Sequence, residues 1–485
     1  MLEDVMFAWI LQYWPYAVTI ITTVMTVWAA IHAILWKRDI RSSLGWAGLI
    51  LFSPGLGALL YFMFGINRVK RKAKAMRNPR ERISQQSAFH TLAAEQLLQR
   101  FAPDGEALMQ IAKAVQHVAT RPLLSGNRID TLVNGEEAFP ALLAAIRGAR
   151  HSISLVTYIF SCDSLGRIVV DELVKAHRRG VAVRVLIDAI GVRYHRPFVN
   201  RLLQSQGVPV AIFFPIRNIS LFNLRTHRKI CVVDGELGFT GGMNIRQQHL
   251  LEQPSSLPTA DLHFRLAGPI VSQLQEVFAE DWLFTTGESL RGELWFRPLE
   301  PCGPVICRGI ADGPDEPIHV LAWILEAAIS SAKRRIRIVT PYFLPDLSLA
   351  TALGVAASRG IEVDIIIPQR GNLPLVQWAT MAQLWQVVSH DCRVWLSPPP
   401  FDHTKLVTVD GMWSLIGSSN WDQRSLGLNF EFNCEAYDLA FTTSLDALID
   451  QRLARASRIS LAQLQARPWL QRLRDSLARL VSPYL

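Results

Sequence analysis

The sequence predicts an α/β fold of two similar halves that follow a membrane-embedded N-terminal segment. A polar motif, His-x-Lys-x4-Asp, occurs at residues 227–234 and again at 403–410, each time in a β-branched run typical of a buried strand. Helical and strand-like segments alternate in the same order before both copies. The stretch from Val5 to Trp36 contains no charged residue. A repeated constellation of this kind predicts two halves that fold alike and meet.

Composition restricts the compartment and the partners. The 485 residues exceed one ordinary domain, are 50% hydrophobic and carry a formal net charge of +9. A basic chain favours anionic partners, either phospholipid or nucleic acid, although surplus arginine can also serve solubility alone. None of the six cysteines forms a CxxC pair or a zinc-type cluster, which favours reduced thiols in a cytoplasmic region. The sequence predicts no metal and no cofactor.

Residues 1–67 are predicted to form the membrane anchor from two apolar segments. Tyr16–Trp36 is long enough to cross a bilayer at about 1.5 Å per residue. A cleaved signal peptide is disfavoured, because the apolar stretch is too long and no basic region precedes it. The second stretch, Leu44–Ile66, also has spanning length but contains Pro54 and Gly55. We expect a transmembrane pair from its length, with a re-entrant segment as the alternative.

Basic residues on both sides of the second stretch bear on this choice. Lys37, Arg38 and Arg41 precede it, and eight lysines and arginines follow between Arg68 and Arg82. The later basic run is predicted to be cytoplasmic and close to anionic lipid. A two-span hairpin would place the earlier group outside, against the positive-inside rule, whereas a re-entrant segment would keep both groups inside.

The remaining chain is divided into three predicted parts. Residues 68–128 form a basic, amphipathic connector, helical to about Asn127, that lies on the membrane surface or packs on the body. The first half covers 129–295 and the second 296–485, linked by a Pro- and Gly-rich stretch at 293–314. The first half is predicted to contain helix 137–149, strand 152–160, helix 168–179, strand 181–188, helix 197–206 and the first motif strand. The second half is predicted to contain helix 316–332, strand 335–343, helix 348–359, strand 361–367, helix 373–388 and the second motif strand.

Two further patterns justify these elements. Gly180 and Gly360 follow equivalent helices, where glycine is a common stop, and the buried strands favour a mostly parallel or mixed sheet. The C-terminal stretch is predicted to be helical and Arg-rich, with Pro468 starting a fresh helix. Beyond Pro468, Trp469, Leu470, Leu473 and Leu477 would form an apolar face. We expect that face to pack on the second half, with a membrane-surface helix as the alternative.

The paired motifs predict phosphoryl transfer through a covalent intermediate. In a strand His227 and Lys229 point to one face, as do His403 and Lys405, so two facing strands bring these four groups together. One neutral imidazole would attack phosphorus, the other would protonate the leaving alcohol, and the ammonium groups would stabilise the non-bridging oxygens. The predicted catalytic set is His227, Lys229, Asp234, His403, Lys405 and Asp410.

Each motif is followed, at the same offset, by Gly-Gly/Ser-x-Asn. The asparagine amides are expected to bind phosphate, and the small pair to let the backbone approach it. These predicted phosphate-binding residues are Gly242, Asn244, Ser418 and Asn420. Asp234 and Asp410 stand at strand ends before glycine, so we interpret them as holding a turn or orienting a lysine.

The repeated motif and several other segments carry a resemblance to a known family. The double-apolar N-terminus belongs to this set, together with residues 226–229, 239–244, 340–345, 417–426, 429–431 and 480–483. The motif pair resembles the HKD signature of the phospholipase D superfamily, and the chain is similar to bacterial cardiolipin synthases. The resemblance implies two α/β/α sandwich halves about a pseudo-twofold axis, with the active site between them. It also implies that His227 becomes the phosphohistidine and that His403 serves as general acid and then base.

The resemblance further implies that an acidic residue of each half orients the opposite histidine. Glu431 fits this role in the second half, and Asp261 is the candidate in the first. The implied reaction joins two phosphatidylglycerols to give cardiolipin and glycerol. It would take place at the bacterial inner membrane, with the catalytic region facing the cytoplasm. The implied partners are phosphatidylglycerol and an anionic bilayer, without nucleic acid.

Three alternatives stay open at this level. A phospholipase D-type hydrolase, or a transphosphatidylase with another acceptor, differs only in the hydroxyl that reaches the phosphohistidine. A nuclease needs a basic channel but no anchor, so the N-terminus argues against it. A membrane scaffold with a dead site has no reason to retain both complete motifs.

Overall fold

The computed structural model describes residues 2–37, 40–65, 90–214, 224–314 and 319–482, which fall into two compact units. The N-terminal unit contains the first two ranges and the main unit the other three. The basic run predicted between residues 68 and 82 lies outside the described residues, as does the first part of the connector.

The N-terminal unit contains one long helix and a broken second segment. Helix α1 covers Leu2–Trp36, α2 Ile40–Phe52 and α3 Leu56–Leu60, and a π-helical turn follows at Tyr61–Gly65. Within the described residues, Gln12–Trp36 is the one helical stretch long and apolar enough to span a membrane. The expected second span is therefore not confirmed, because α2 ends at Phe52, just before Pro54.

The second segment folds back along α1. Hydrogen bonds join the two: Ser43 Oγ to Ala33 O at 3.2 Å, Gly55 N–H to Thr26 Oγ1 at 3.3 Å, and the Tyr61 hydroxyl with His32 Nδ1 at 2.7 Å. The contact point on α1 moves from residue 33 to 26 and returns to 32. A chain that descends along a helix and returns has the path of a re-entrant segment.

In the main unit two short helices precede the repeat, α4 at Gln96–Arg100 and α5 at Gly105–Val118. The first half contains β1 Leu124–Val133, α6 Asn134–Gly148, β2 Ser152–Thr157, α7 Ser164–Arg178, β3 Ala182–Asp188, α8 Val199–Ser205, β4 Val210–Phe213, β5 Arg225–Thr226, β6 Ile230–Val233, β7 Leu237–Gly241, β8 Thr259–Ala260, β9 Leu262–Ala267 and α9 Ile270–Thr286.

The second half repeats this order. It contains β10 Val305–Asp312, α10 Val320–Ser331, β11 Arg335–Val339, β12 Phe343–Leu344, α11 Leu347–Ser358, β13 Glu362–Pro368, α12 Pro374–Gln383, α13 Trp385–Val388, β14 Arg393–Ser397, β15 Phe401–Asp402, β16 Leu406–Val409, β17 Trp413–Gly417, β18 Trp421–Asp422, β19 Asn429–Tyr437, α14 Leu439–Leu453, β20 Ser457–Ile459, α15 Leu461–Gln465 and α16 Trp469–Leu480.

One mixed sheet runs through both halves. In the described part of the chain it has 16 strands, in the order β4-β3-β2-β6-β7-β9-β1 and then β10-β19-β17-β16-β11-β13-β14-β20, with β5 beside β19. The halves join where β1 pairs antiparallel with β10, and each half places corresponding strands in the same order away from that seam. Strands β2 and β3 run parallel whereas β2 and β6 run antiparallel. The predicted pair of similar α/β halves is confirmed.

Helices cover the sheet and enclose its apolar core. Helices α6 and α7 pack with β2 and β3 in one cluster, and α10 and α11 pack with β11 and β13 in another. Every residue of β2 is buried, so neighbours cover both faces of that strand, with α9 among them. Burial on both faces explains why the central strands read as continuous apolar runs.

Some predicted boundaries were wrong. The stretch 293–314 is more than a link, because it contains β10, whose apolar run is interrupted by the buried Arg308 that pairs with Glu435. The helical connector ends at Val118, and β1 begins before Asn127. The C-terminal stretch includes β20, which pairs antiparallel with β14, although a helix does start after Pro468 as predicted.

Candidate active site

The motif histidines lie in extended connections rather than inside strands. The short strands that precede them pair with the opposite half: β5 with β19, and β15 with β8. The backbone N–H of His227 donates to Phe430 O at 2.8 Å, and that of His403 donates to Ala260 O at 2.7 Å. Each histidine is therefore positioned by the backbone of the other half.

A carboxylate follows each of these carbonyl groups and meets the same histidine. The Glu431 carboxylate lies 3.1 Å from His227 Nδ1, and Asp261 Oδ2 lies 2.8 Å from His403 Nδ1. Both carboxylates are fully buried. The structure thus brings both acidic candidates to the histidines that the resemblance pairs with them. With Nδ1 engaged, Nε2 is the nitrogen that each imidazole offers to a substrate.

The motif lysines adopt matching positions. Lys229 Nζ donates to His227 O at 2.6 Å, and Lys405 Nζ donates to His403 O at 2.5 Å. Both ammonium groups are buried, and each influences the histidine of the other motif: the charge of Lys405 helps to lower the pKa of His227, and that of Lys229 helps to lower the pKa of His403. The two motifs therefore share one electrostatic environment, as the sequence predicted.

Burial sets the protonation state of the basic groups. It lowers the pKa of His227 to about 4, against the opposing charge of Glu431, and holds the pKa of His403 well below its ordinary value. Burial also lowers the pKa of Lys229 to about 7 and that of Lys405 to about 8. At neutral pH the imidazoles are neutral, as a nitrogen nucleophile requires. An arriving phosphate anion would raise all four pKa values.

The two carboxylates differ in their electrostatics. Burial raises the pKa of Asp261 to about 6, although Lys405 opposes the rise. Burial acts on Glu431 in the same direction, but His227 and Lys229 outweigh it and hold the Glu431 pKa below its ordinary value. Both groups are therefore ionised at neutral pH and can stabilise an imidazolium.

Gly242 and Ser418 contact the carboxylates, which differs from the expected approach to phosphate. A Cβ at Gly242 would lie 2.3 Å from Asp261 Oδ1, so no larger residue fits without displacing that carboxylate. In the second half Ser418 Oγ donates to Glu431 at 2.5 Å. The Gly/Ser difference between the motifs therefore reflects two contacts with a carboxylate: Gly242 leaves space for Asp261, whereas Ser418 donates a hydrogen bond to Glu431.

The two asparagines are held differently. Asn244 Oδ1 accepts from the backbone N–H of Ile159 at 3.1 Å, which leaves its amide N–H groups for a substrate oxygen. Asn420 Nδ2 lies 3.3 Å from Ser425 Oγ. Both side chains are buried. Because the Asn420 amide group already lies near Ser425 Oγ, Asn244 is better placed than Asn420 to donate to phosphate.

Asp234 and Asp410 serve the turns, which agrees with the interpretation of their position before glycine but not with their place in the predicted catalytic set. Asp234 accepts from three successive backbone N–H groups at residues 150–152, and Asp410 does the same at 333–335. Both have a φ of 54°, in the left-handed region that aspartate tolerates. Strand β6 separates Asp234 from Lys229, and β16 separates Asp410 from Lys405. These carboxylates anchor β2 and β11 and take no direct part in the histidine pairs.

Two tyrosines belong to the site but were not assigned to it from the sequence. The Tyr158 ring lies edge-on to His227 with centroids 5.3 Å apart, and the Tyr342 ring lies edge-on to His403 at 6.5 Å. The signal was their equivalent position just after β2 and β11. In the part of the chain that the structure describes, no group of three His, Cys, Asp or Glu side chains could hold a metal ion.

Comparison with known proteins identifies the family. A family model described as "Cardiolipin synthase, PLD-like domain" matches residues 142–282 and 325–453, one copy on each half. A model described as "Phospholipase_D-nuclease N-terminal" matches residues 24–65. Cardiolipin synthase A of Pseudomonas putida is 33% identical over 463 residues, covering 94% of this chain and 95% of that protein. The chain belongs to the cardiolipin synthase family.

A second relative agrees with this family, and solved structures share the fold. Cardiolipin synthase A of Pseudomonas aeruginosa is 34% identical over 467 residues, covering 94% of this chain and 93% of that protein. The structure of phosphatidylserine synthase from Haemophilus influenzae superposes with a TM-score of 0.60 at 17% identity, covering 78% of this chain and 100% of that one. Polyphosphate kinase from Porphyromonas gingivalis gives 0.50 at 15% identity, covering 70% and 49%. At these identities the structural likeness concerns the fold alone.

Proposed function

We propose that the chain is a membrane-anchored phosphatidyltransferase that joins two phosphatidylglycerols to give cardiolipin and glycerol. The pairing of His227 with Glu431 and of His403 with Asp261 across the two halves supports the chemistry. The names of the full-length relatives support the substrate.

In the first step His227 Nε2 attacks the phosphorus of one phosphatidylglycerol. A P–N bond forms, the P–O bond to the headgroup glycerol breaks, and His403 gives its proton to the leaving oxygen. The bound phosphodiester anion raises the pKa of His403 and so favours its protonated form. Glu431 stabilises the developing charge on His227, while Lys229 and Lys405 face the non-bridging oxygens.

In the second step a hydroxyl of another phosphatidylglycerol enters the place of the departed glycerol. His403, now neutral, takes the proton of that hydroxyl, and its oxygen attacks phosphorus. The P–N bond breaks, cardiolipin forms, and His227 returns as neutral imidazole. Two phosphatidylglycerols thus give one cardiolipin and one glycerol, and no other reactant is consumed.

We also propose that the protein is anchored in the bacterial inner membrane with the main unit in the cytoplasm. The basic residues at 37–41 and 68–82 flank the second apolar segment. The contacts of Ser43, Gly55 and Tyr61 with α1 support a re-entrant path, which keeps both basic groups on the cytoplasmic side.

The test is a product analysis with the purified full chain in mixed micelles of labelled phosphatidylglycerol. We expect labelled cardiolipin and an equal amount of glycerol. His227→Ala should lower the rate by about 10⁴-fold or more, as removal of a nucleophile does. His117→Ala is the matched control, because His117 is exposed and, among the described residues, bonds to the carbonyl of Lys113 in its own helix. Phosphatidic acid without cardiolipin would identify a hydrolase and overturn the transferase proposal.

A further inference from the structure

The last helix exposes its apolar residues instead of packing them. Trp469, Leu470, Leu473, Leu477 and Leu480 of α16 are between 48% and 71% exposed. The expectation that this face packs on the second half is therefore wrong. At about 100° per residue, the five side chains occupy one continuous face of about 100°.

The opposite side of α16 attaches the helix to the main unit. Asp475 is buried and accepts from Arg467 and Arg474, each at 2.7 Å. Ala478 is buried in a cluster with Val376 and Ala379 of α12. The helix is thus fixed on one side and presents its apolar residues outward, the reverse of an ordinary packing helix.

Arginines border the apolar face. Arg472 and Arg479 lie along one edge, and Arg474 lies along the other, over the Trp378 ring at 4.4 Å. From residue 451 to the C-terminus the sequence carries seven arginines and a single acidic residue, the buried Asp475. An apolar stripe between basic edges complements an anionic lipid surface, where leucines enter the acyl boundary and arginines bind headgroups.

The position of α16 connects this surface to the site. Arg467 bonds to Met381 O whereas Arg474 lies over Trp378, so α16 runs antiparallel to α12. The C-terminal end of α16 therefore lies beside the start of α12, where Leu373 and Leu375 are half exposed.

Next to that start, Asn372 accepts from the Tyr342 hydroxyl at 2.7 Å, and the Tyr342 ring lies edge-on to His403. The exposed apolar surface is thus connected to His403 through two side chains, those of Asn372 and Tyr342.

We propose that α16 is an interfacial helix that lies in the headgroup region of an anionic phospholipid bilayer and holds the rim of the active site against the lipid. A second copy of the chain is a poorer occupant. Twofold pairing of this face would bring the bordering arginines of both copies together, and like charges in close contact are unfavourable. The apolar face of α16 is separate in sequence from the N-terminal anchor. Its binding to lipid can be measured whether or not the proposed reaction occurs.

The first test places an environment-sensitive fluorophore on the helix of the full chain in proteoliposomes. Cys302, the one exposed cysteine among those of the described chain, is first replaced by Ser. The probe is attached through Leu473→Cys, and through Gln471→Cys as the control on another side of α16. In vesicles containing phosphatidylglycerol we expect a blue-shifted emission at 473 and quenching by lipid-borne doxyl groups, with water-like emission at 471.

Two results would overturn the proposal. One is water-like emission at 473 in vesicles rich in phosphatidylglycerol. The other is crosslinking of 473 to 473 between chains without quenching from lipid, which would identify a second copy as the occupant.

The second test links the helix to activity through Leu473→Ser combined with Leu477→Ser. We expect the initial rate on vesicles to fall about tenfold, because the buried apolar area is lost. The rate on monomeric short-chain phosphatidylglycerol should stay unchanged. Loss of both rates equally would indicate a packing role and contradict the proposal. Failure of the wild-type chain to make cardiolipin, with lipid quenching intact at 473, would instead overturn the proposed function alone.

Discussion

At the residue scale, the difference between Gly242 and Ser418 shows that the two halves seat their carboxylates differently. Ser418 donates to Glu431, whereas Gly242 leaves room for Asp261. The motifs alone identified the histidines, lysines and asparagines, because these residues recur at equal spacing. They could not reveal what the small residues contact, since each partner carboxylate lies on a later segment of the chain, Asp261 between β8 and β9 and Glu431 in β19. Tyr158 and Tyr342 recur at equivalent positions, but that recurrence alone does not show that their rings pack on the histidines.

Gly242→Ala should impair catalysis by disturbing Asp261. The new Cβ would fall 2.3 Å from Asp261 Oδ1, so the carboxylate must move and His403 loses its orientation. We expect kcat to fall by about 10- to 100-fold, as is usual when a supporting contact is lost. The control is Gly148→Ala, where nothing lies within 4 Å of the added Cβ. Unchanged kcat in a folded Gly242→Ala protein would contradict this role.

The rate should fall on the alkaline side because the motif lysines lose their charge. The pKa of Lys229 is lowered to about 7 and that of Lys405 to about 8, and the groups around Lys229 include Glu431, Asp261 and Asp188. As the pH rises through these values, the free enzyme loses the cations that we propose bind phosphate, so kcat/KM should decline. His227, with a pKa of about 4, stays neutral down to mildly acidic pH and should cause no loss there. A pH profile of kcat/KM that still rises at about pH 9 would contradict this assignment.

At the element scale, helices and buried strands were predictable where an apolar period is uninterrupted. Strand β10 was missed because Arg308 and Gly309 break its run, and Arg308 becomes acceptable only through Glu435 on the neighbouring strand. The motif strands were placed correctly, but their histidines lie just before them. That shift depends on pairing with the opposite half, which no local pattern encodes.

The broken second segment of the anchor leads to a prediction about topology. If it re-enters, Gly45 and Phe62 lie toward the same side of the membrane, and the turn near Gly55 stays inside the bilayer. We expect Gly45→Cys and Phe62→Cys to react with a membrane-impermeant maleimide only from the cytoplasmic face, in inverted vesicles, and Ser53→Cys from neither face. The exposed Cys302 is replaced by Ser in all variants, and the Cys302→Ser parent reports background labelling. Labelling of position 45 from the periplasm, with position 62 labelled only from the cytoplasm, would restore the two-span hairpin.

At the scale of the whole molecule, the two halves complete each other's site. Strands β5 and β15 leave their own half to pair with β19 and β8, and the carboxylate beyond each pairing meets the incoming histidine. The repeat in the sequence predicted that two halves meet. Only the resemblance indicated that each half supplies the acid for the other histidine, because sequence spacing carries no information about contacts between halves.

This crosswise arrangement predicts different defects for its two carboxylates. In the proposed mechanism Glu431 supports the nucleophile, whereas Asp261 supports the histidine that protonates the leaving group. With a phosphatidyl ester of p-nitrophenol, whose leaving group needs no proton, Asp261→Asn should release one equivalent of p-nitrophenolate at nearly the wild-type rate and then stall. On phosphatidylglycerol the same variant should be slower by about 100-fold or more. Glu431→Gln should slow the burst itself with either substrate.

Rapid-mixing measurements of the burst rate and amplitude test this difference, and His403→Ala serves as the reference for a lost acid. The substitutions are isosteric, so if both variants have the thermal stability of the wild-type protein, a folding defect is excluded as the cause. If Asp261→Asn and Glu431→Gln lose the burst to the same extent, the two histidines do not have separate roles. A burst retained in Glu431→Gln and lost in Asp261→Asn would reverse the assignment and make His403 the nucleophile.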